Sequence, residues 1–224
     1  MKELERKLGY QFNNKALLIN ALTHSSYANE NRDEGVPSNE RLEFLGDSVL
    51  GFAAAKHLYA VEPAMPEGRM TRLRAELVCE QSLHGVAQDL GLGEYLRMGH
   101  GEKRNGGRQR ISILADAVEA VIAAIFLDGG IEPAERFVER MVLSPESVEA
   151  HHASDYKTEL QELVQQRPDQ LLRYIAAGES GPDHDKLFMS DVSLNGEVIG
   201  RGSGKTKKEA EQAAAREALR KLTK

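Results

Sequence analysis

Apolar residues recur at spacings of three and four through 14–25, 39–60, 69–90, 111–127 and 132–143, a pattern that predicts amphipathic helices. Clusters of Gly, Pro and Asn, such as Glu34-Gly35-Val36-Pro37-Ser38-Asn39, separate these stretches. Residues 99–110 read as a glycine-rich basic loop, and Asp128-Gly129-Gly130 as a helix stop. No alternation of period two runs long enough to form a sheet, so 1–143 is expected to be one all-α domain. Residues 144–154, with Pro145 and His151-His152, are polar and read as a linker. The texture then changes. A helix over 156–166 precedes strands over 171–177, 187–194 and 197–203, the last two flanking the hairpin signal Asn195-Gly196. An Ala/Glu/Lys-rich helix over 207–222 completes an α-β-β-β-α order, which makes 155–224 a small α+β domain.

Composition narrows the setting. A hydrophobic content of 41% and a charged content of 29% over 224 residues describe an ordinary globular chain. The single Cys79 excludes an internal disulfide, fits a reducing compartment and reads as a small core residue. The opening Met-Lys-Glu-Leu-Glu-Arg is acidic where a signal peptide would be basic and then apolar. The longest apolar run, 121–127, is too short to cross a bilayer. A cytoplasmic protein without a membrane partner is expected. Net charge is −6, carried by 1–154 with 17 cationic against 23 acidic residues, while 155–224 balances at 12 of each. Overall sign therefore announces no polyanion partner, and only local clusters of cations could serve one.

The acids are not scattered. Within 39–50, Glu40, Glu43 and Asp47 stand at i, i+3 and i+7 and share one helix face, while Leu42, Leu45, Val49 and Phe52 form a separate apolar stripe expected to pack into the core. Glu43 and Asp47 repel at i, i+4. A second pair, Asp116 and Glu119, interrupts an otherwise apolar helix, where a carboxylate is costly to bury unless paired or metal-bound. Acids on most helices simply face solvent. Five on two apolar helices point instead to an oxygen-only cage, which suits Mg2+ or Mn2+ rather than zinc, and to phosphodiester hydrolysis.

The segment 39–50 resembles the signature of the ribonuclease III family, whose members cleave double-stranded RNA with Mg2+. The similarity continues through Gly106-Gly107-Arg108, residues 111–114, Asp116-Ala117-Val118-Glu119-Ala120 and Asp128-Gly129-Gly130. Tyr156-Lys157-Thr158, Gly181-Pro182-Asp183-His184 and Lys207-Lys208-Glu209-Ala210-Glu211 are similar to a double-stranded-RNA-binding domain. The resemblance implies an all-α endonuclease domain over 1–143, a linker over 144–154 and an α+β RNA-binding domain over 155–224. It implies that Glu43, Asp47, Asp116 and Glu119 hold Mg2+, with Mn2+ able to substitute, and that Asp47 and Glu119 are the catalytic pair. Glu40 and Glu67 match further acids of the cleft, and Phe44 matches an aromatic that inserts into a second subunit, which implies a homodimer. Implied products carry 5′-phosphate and 3′-hydroxyl ends with a two-nucleotide 3′ overhang. The implied substrates are ribosomal-RNA precursors and some messenger and transfer RNA precursors.

The tail has physical logic of its own. Thr206-x-x-Glu209 is a capping box that would start the last helix at Lys207, and a helix N-terminus beside Lys205, Lys207 and Lys208 cradles phosphate. Lysines at a helix start are usually just solvated; the capped start and the fold order favour RNA. By resemblance, Gln161, Gln165 and His184 take the minor-groove contacts. Gly200 to Thr206 imitates a nucleotide phosphate loop, but the required first glycine is Ile199, so no nucleotide cofactor is expected. His24 reads as a structural histidine, and Arg97, Lys103, Arg104, Arg108 and Arg110 as either a solvated loop or phosphate contacts. Two rivals remain: a duplex binder that does not cut, and a helical oligomerisation domain with a stray tail. A complete acidic set argues against the first.

Overall fold

The structure, a computed structural model, describes residues 1–61, 63, 65–144, 156–167, 169–182 and 186–222. The chain divides into two compact units, Met1–Val148 and Glu149–Lys224. The first contains α1 (Lys2–Leu8), α2 (Lys15–Ala21), α3 (Ser25–Glu30), α4 (Glu40–Val61), α5 (Glu67–Leu77), α6 (Glu80–Leu90), α7 (Leu92–Tyr95), α8 (His100–Arg104), α9 (Ile111–Gly129) and α10 (Ile131–Met141), with 3-10 turns at Arg32–Glu34 and Gly107–Gln109.

The organising element is α9. Residues 113–115, 117, 118 and 120–125 are all buried, and a helix apolar on every side belongs at the centre of a core. α2, α4, α6 and α10 pack around it. Its end is fixed by Asp128, whose carboxylate accepts the Asn13 and Asn14 amides and the Tyr10 hydroxyl at 2.8 Å each. The Asp-Gly-Gly stop is therefore an anchor as well as a terminator.

Four expectations are corrected. The stretch 69–90 is two helices, because Cys79 is extended (φ −70°, ψ 158°) and the Ser82 hydroxyl donates to the Glu76 carbonyl across the break. Apolar spacing runs through the break because α5 and α6 serve one core. Cys79 is exposed rather than a core residue. Phe52 is also exposed, at 54%, since α4 has a second apolar face besides the one that packs on α9. The loop 99–110 contains α8 and a 3-10 turn. The proposed linker lies outside the described residues from 145 onward.

The second unit follows the expected order: α11 (Tyr156–Gln165), β1 (Leu172–Ser180), β2 (Leu187–Leu194), β3 (Glu197–Gly204) and α12 (Lys207–Leu222). The sheet is antiparallel, ordered β1-β2-β3, with Tyr174 opposite Val192 and Val192 opposite Gly200. The β2–β3 turn uses left-handed Asn195 (φ 54°) and Gly196 (φ 91°), as a two-residue hairpin loop requires. Leu160, Val164, Val192, Ala214, Ala215, Ala218 and Leu219 form its core.

The glycines of the phosphate-loop imitation have a packing role. A Cβ on Gly200, Gly202 or Gly204 would stand 2.2–2.4 Å from atoms of α12, namely the Ala214 carbonyl oxygen, the Ala214 amide nitrogen and the Glu209 Cβ. Alternate glycines on β3 thus let the alanine face of α12 lie directly on the strand.

Candidate functional site

α4 and α9 bring the two acidic pairs together. Oxygens of Glu43, Asp116 and Glu119 lie within 4.8 Å of one another. Asp47 is not in that group, although its charge acts on Glu119. Burial is the largest influence on each member of the group. It pushes the Glu119 carboxyl up to about 7, with Asp47, Asp116 and Glu43 adding repulsion. Glu43 is raised by burial, then by Asp116 and Glu40. Asp116 is raised by burial and then by Glu80, while His24 pulls it the other way. An all-carboxylate group whose members resist ionisation is a donor set that fits a hard divalent cation.

Glu80 and His24 were not among the sequence candidates for this site. Glu80 is the first residue of α6, a position visible only once the break at Cys79 is known. His24 caps α3, its Nδ1 accepting the Ser26 amide at 3.2 Å. The structural role expected for His24 stands beside its reach to Asp116.

Other acids lie apart. Glu40 accepts the Ser38 hydroxyl at 2.9 Å, and Glu67, at the start of α5, accepts the Thr71 hydroxyl at 3.0 Å. Neither belongs to the group of three. Phe44 is 79% exposed; with Phe52 and Tyr59 (76%) it forms an apolar face of α4, i, i+8 and i+15 falling within about 80° of one another.

Basic residues of 97–110 prove partly structural. Arg97 stacks on Tyr27, 4.2 Å from the ring centroid, and donates to its hydroxyl at 2.7 Å. Arg108 donates to the carbonyls of Gly93 and Leu96, and Arg110 pairs with Glu102 at 2.9 Å. Lys103 and Arg104 remain exposed on α8.

In the second unit the Thr206 hydroxyl accepts the Glu209 amide at 3.1 Å. Glu209 returns its carboxylate to the Lys205 amide at 2.8 Å, one residue earlier than the usual reciprocal partner. α12 starts at Lys207, and Lys205, Lys207 and Lys208 are exposed around that start. Gln161 and Gln165 are exposed at i, i+4 on α11, and Lys157 ties that helix to α12 through Glu211. His184 lies outside the described residues.

The chain is similar to known proteins over both units. A Ribonuclease-III-like family model matches 14–146, and a double-stranded RNA binding motif matches 156–222. Ribonuclease 3 of Desulforamulus reducens is 52% identical over 98% of this chain and 90% of its own length. Ribonuclease 3 of Listeria innocua is 47% identical over 99% of this chain and 97% of its own length. The nuclease domain of a Campylobacter jejuni ribonuclease III superposes with a TM-score of 0.59 at 42% identity, over 63% of this chain and 92% of that one. A second structure of that domain, described as showing structural flexibility in a region involved in dimer formation, gives 0.58 at 41% identity, over 64% and 99%. With both regions matched in order and half the residues shared with a relative across nearly its whole length, the chain belongs to the ribonuclease III family.

Proposed function

We propose that the protein is an endoribonuclease that hydrolyses double-stranded RNA at a divalent-metal site formed by Glu43, Asp47, Asp116 and Glu119. The ribonuclease III membership and the double-stranded RNA binding motif carry the activity and its substrate class. The metal site rests on one observation above all: Glu43, Asp116 and Glu119 have oxygens within 4.8 Å of one another in a half-buried setting. Three such acids cannot share that space as anions without a counter-charge, and unneutralised they would repel a phosphate backbone.

Mg2+ is the proposed ion, with Mn2+ as a substitute, because the donors are all oxygen. When bound, it neutralises the site, lowers the pKa of water and stabilises the departing oxygen. Glu43 and Asp116, from different helices, set the spacing of the donors. Glu119 and Asp47 are the proposed catalytic pair, Glu119 being the member held nearest neutrality. Glu40 and Glu67 are proposed to border the cleft.

Residues 1–143 are assigned to catalysis and dimerisation, 144–154 to the linker and 155–224 to duplex binding. Gln161, Gln165 and His184 would meet the minor groove while Lys205, Lys207 and Lys208 meet phosphates. A homodimer through the Phe44 face of α4 is supported by its exposed aromatics and would supply one site per strand. Products with 5′-phosphate and 3′-hydroxyl ends, precursor RNAs as substrates and a cytoplasmic setting complete the proposal. No described helix is long and apolar enough to cross a membrane. The testing experiment incubates duplex RNA with the protein and Mg2+ and maps product ends. Single-stranded RNA cut as readily as duplex would overturn the substrate assignment.

A further inference from the structure

The carboxylates meet because the helices that carry them touch main chain to main chain. Gly46 lies between Glu43 and Asp47 on α4 and is buried. A Cβ built on it would stand 1.9 Å from the carbonyl oxygen of Glu119, 2.4 Å from the carbonyl carbon and 3.0 Å from the Cα. All three atoms are backbone of the buried central helix, so no side chain can turn aside to make room. Gly51, five residues along α4, faces open space within 4 Å. Glycine is unfavourable inside a helix, and only at 46 does close approach to α9 demand it.

We propose that Gly46 is a positioning residue for the metal site: its missing side chain fixes the separation of Glu43 and Asp47 from Asp116 and Glu119. The inference rests on the reading of that cluster as a metal site. Any side chain at 46 forces the helices apart by about 1 Å or more, since non-bonded contacts need about 3.5 Å. Mg2+ and Mn2+ sites do not absorb that: oxygen distances for Mg2+ lie near 2.0–2.1 Å, against roughly 2.3–2.6 Å for Ca2+. A widened site should lose affinity for the smaller ions and recover some of it when one acid is lengthened by a methylene, about 1.5 Å.

The test measures Mn2+ binding to the full chain by electron paramagnetic resonance, without RNA or turnover. Native protein and Gly51→Ala should bind alike. Gly46→Ala, folded by circular dichroism and binding duplex RNA normally in the absence of metal, should bind Mn2+ at least tenfold more weakly. Asp116→Glu alone should weaken binding, yet in the Gly46→Ala background it should strengthen it. That reversal of sign is a signature that general destabilisation does not produce. Folded Gly46→Ala with native affinity, or no reversal in the double variant, overturns the inference. Should Gly46→Ala fail to fold, Asp116→Glu in the native background carries the test: a spacing fixed by backbone contact has no room for the methylene, and undiminished Mn2+ affinity overturns the inference. Native protein that binds no Mn2+ overturns the metal reading itself, a result distinguishable from failure of the variants alone.

Discussion

At the scale of single residues, three carboxylates sharing 4.8 Å impose a pH dependence on the metal-free protein. Folded, Glu119 keeps its proton up to about 7; unfolded, it releases it near the ordinary carboxylate value of 4.5. Within that window the folded state holds more protons, so stability falls as pH rises and the penalty is complete above about 7. Thermal melts of metal-free protein should therefore show Tm dropping between about pH 5 and pH 7.5, a slope that Glu119→Gln flattens. Mg2+ should raise Tm more at the upper end than at the lower. A metal-free Tm that rises across this range would contradict the assignment of the buried charge. The acids of the two helices were readable because each pair recurs on one helix face inside an apolar pattern. Glu80 and His24 were not, since their reach to Asp116 depends on which helices meet and no spacing along the chain encodes it.

Elements show where glycine and side-chain caps decide geometry. Gly200, Gly202 and Gly204 resemble a phosphate loop in one dimension and are a helix-packing strip in three. Gly202→Ala places a Cβ 2.2 Å from the Ala214 amide nitrogen, so it should destabilise the second unit by about 3 kcal/mol. Chemical denaturation would measure this as a loss of the second unit's transition with the first left unchanged, and duplex affinity should fall with it. An unshifted midpoint would mean that α12 can lift off β3 at little cost. The α-β-β-β-α order was legible because turn signals and alternation separate its elements. The break at Cys79 was not, because apolar spacing carries across it and the Ser82 hydroxyl bond that seals it leaves no pattern. Phe52 was placed on the core face for a related reason. A helix with two apolar faces does not declare which one meets its own domain, and the structure leaves Phe44, Phe52 and Tyr59 outside.

For the molecule as a whole, that uncovered face is what supports the proposed homodimer. An aromatic patch on a helix is expensive in water, and a second copy offers the same patch about a twofold axis. Phe44→Asp should place a charge in the self-complementary contact and shift the protein from dimer to monomer in sedimentation experiments; a native protein already monomeric at micromolar concentration would contradict the proposed assembly. Whether carboxylate-held metal drives cleavage is decided by incubating duplex RNA with native protein and with Glu119→Ala, with and without Mg2+, followed by gel analysis of cleavage and of binding. The expected result is cleavage only by native protein with Mg2+, while Glu119→Ala retains duplex binding. Near-native turnover by Glu119→Ala, or cleavage by native protein in the presence of chelator, would contradict a carboxylate-held metal as the source of the activity.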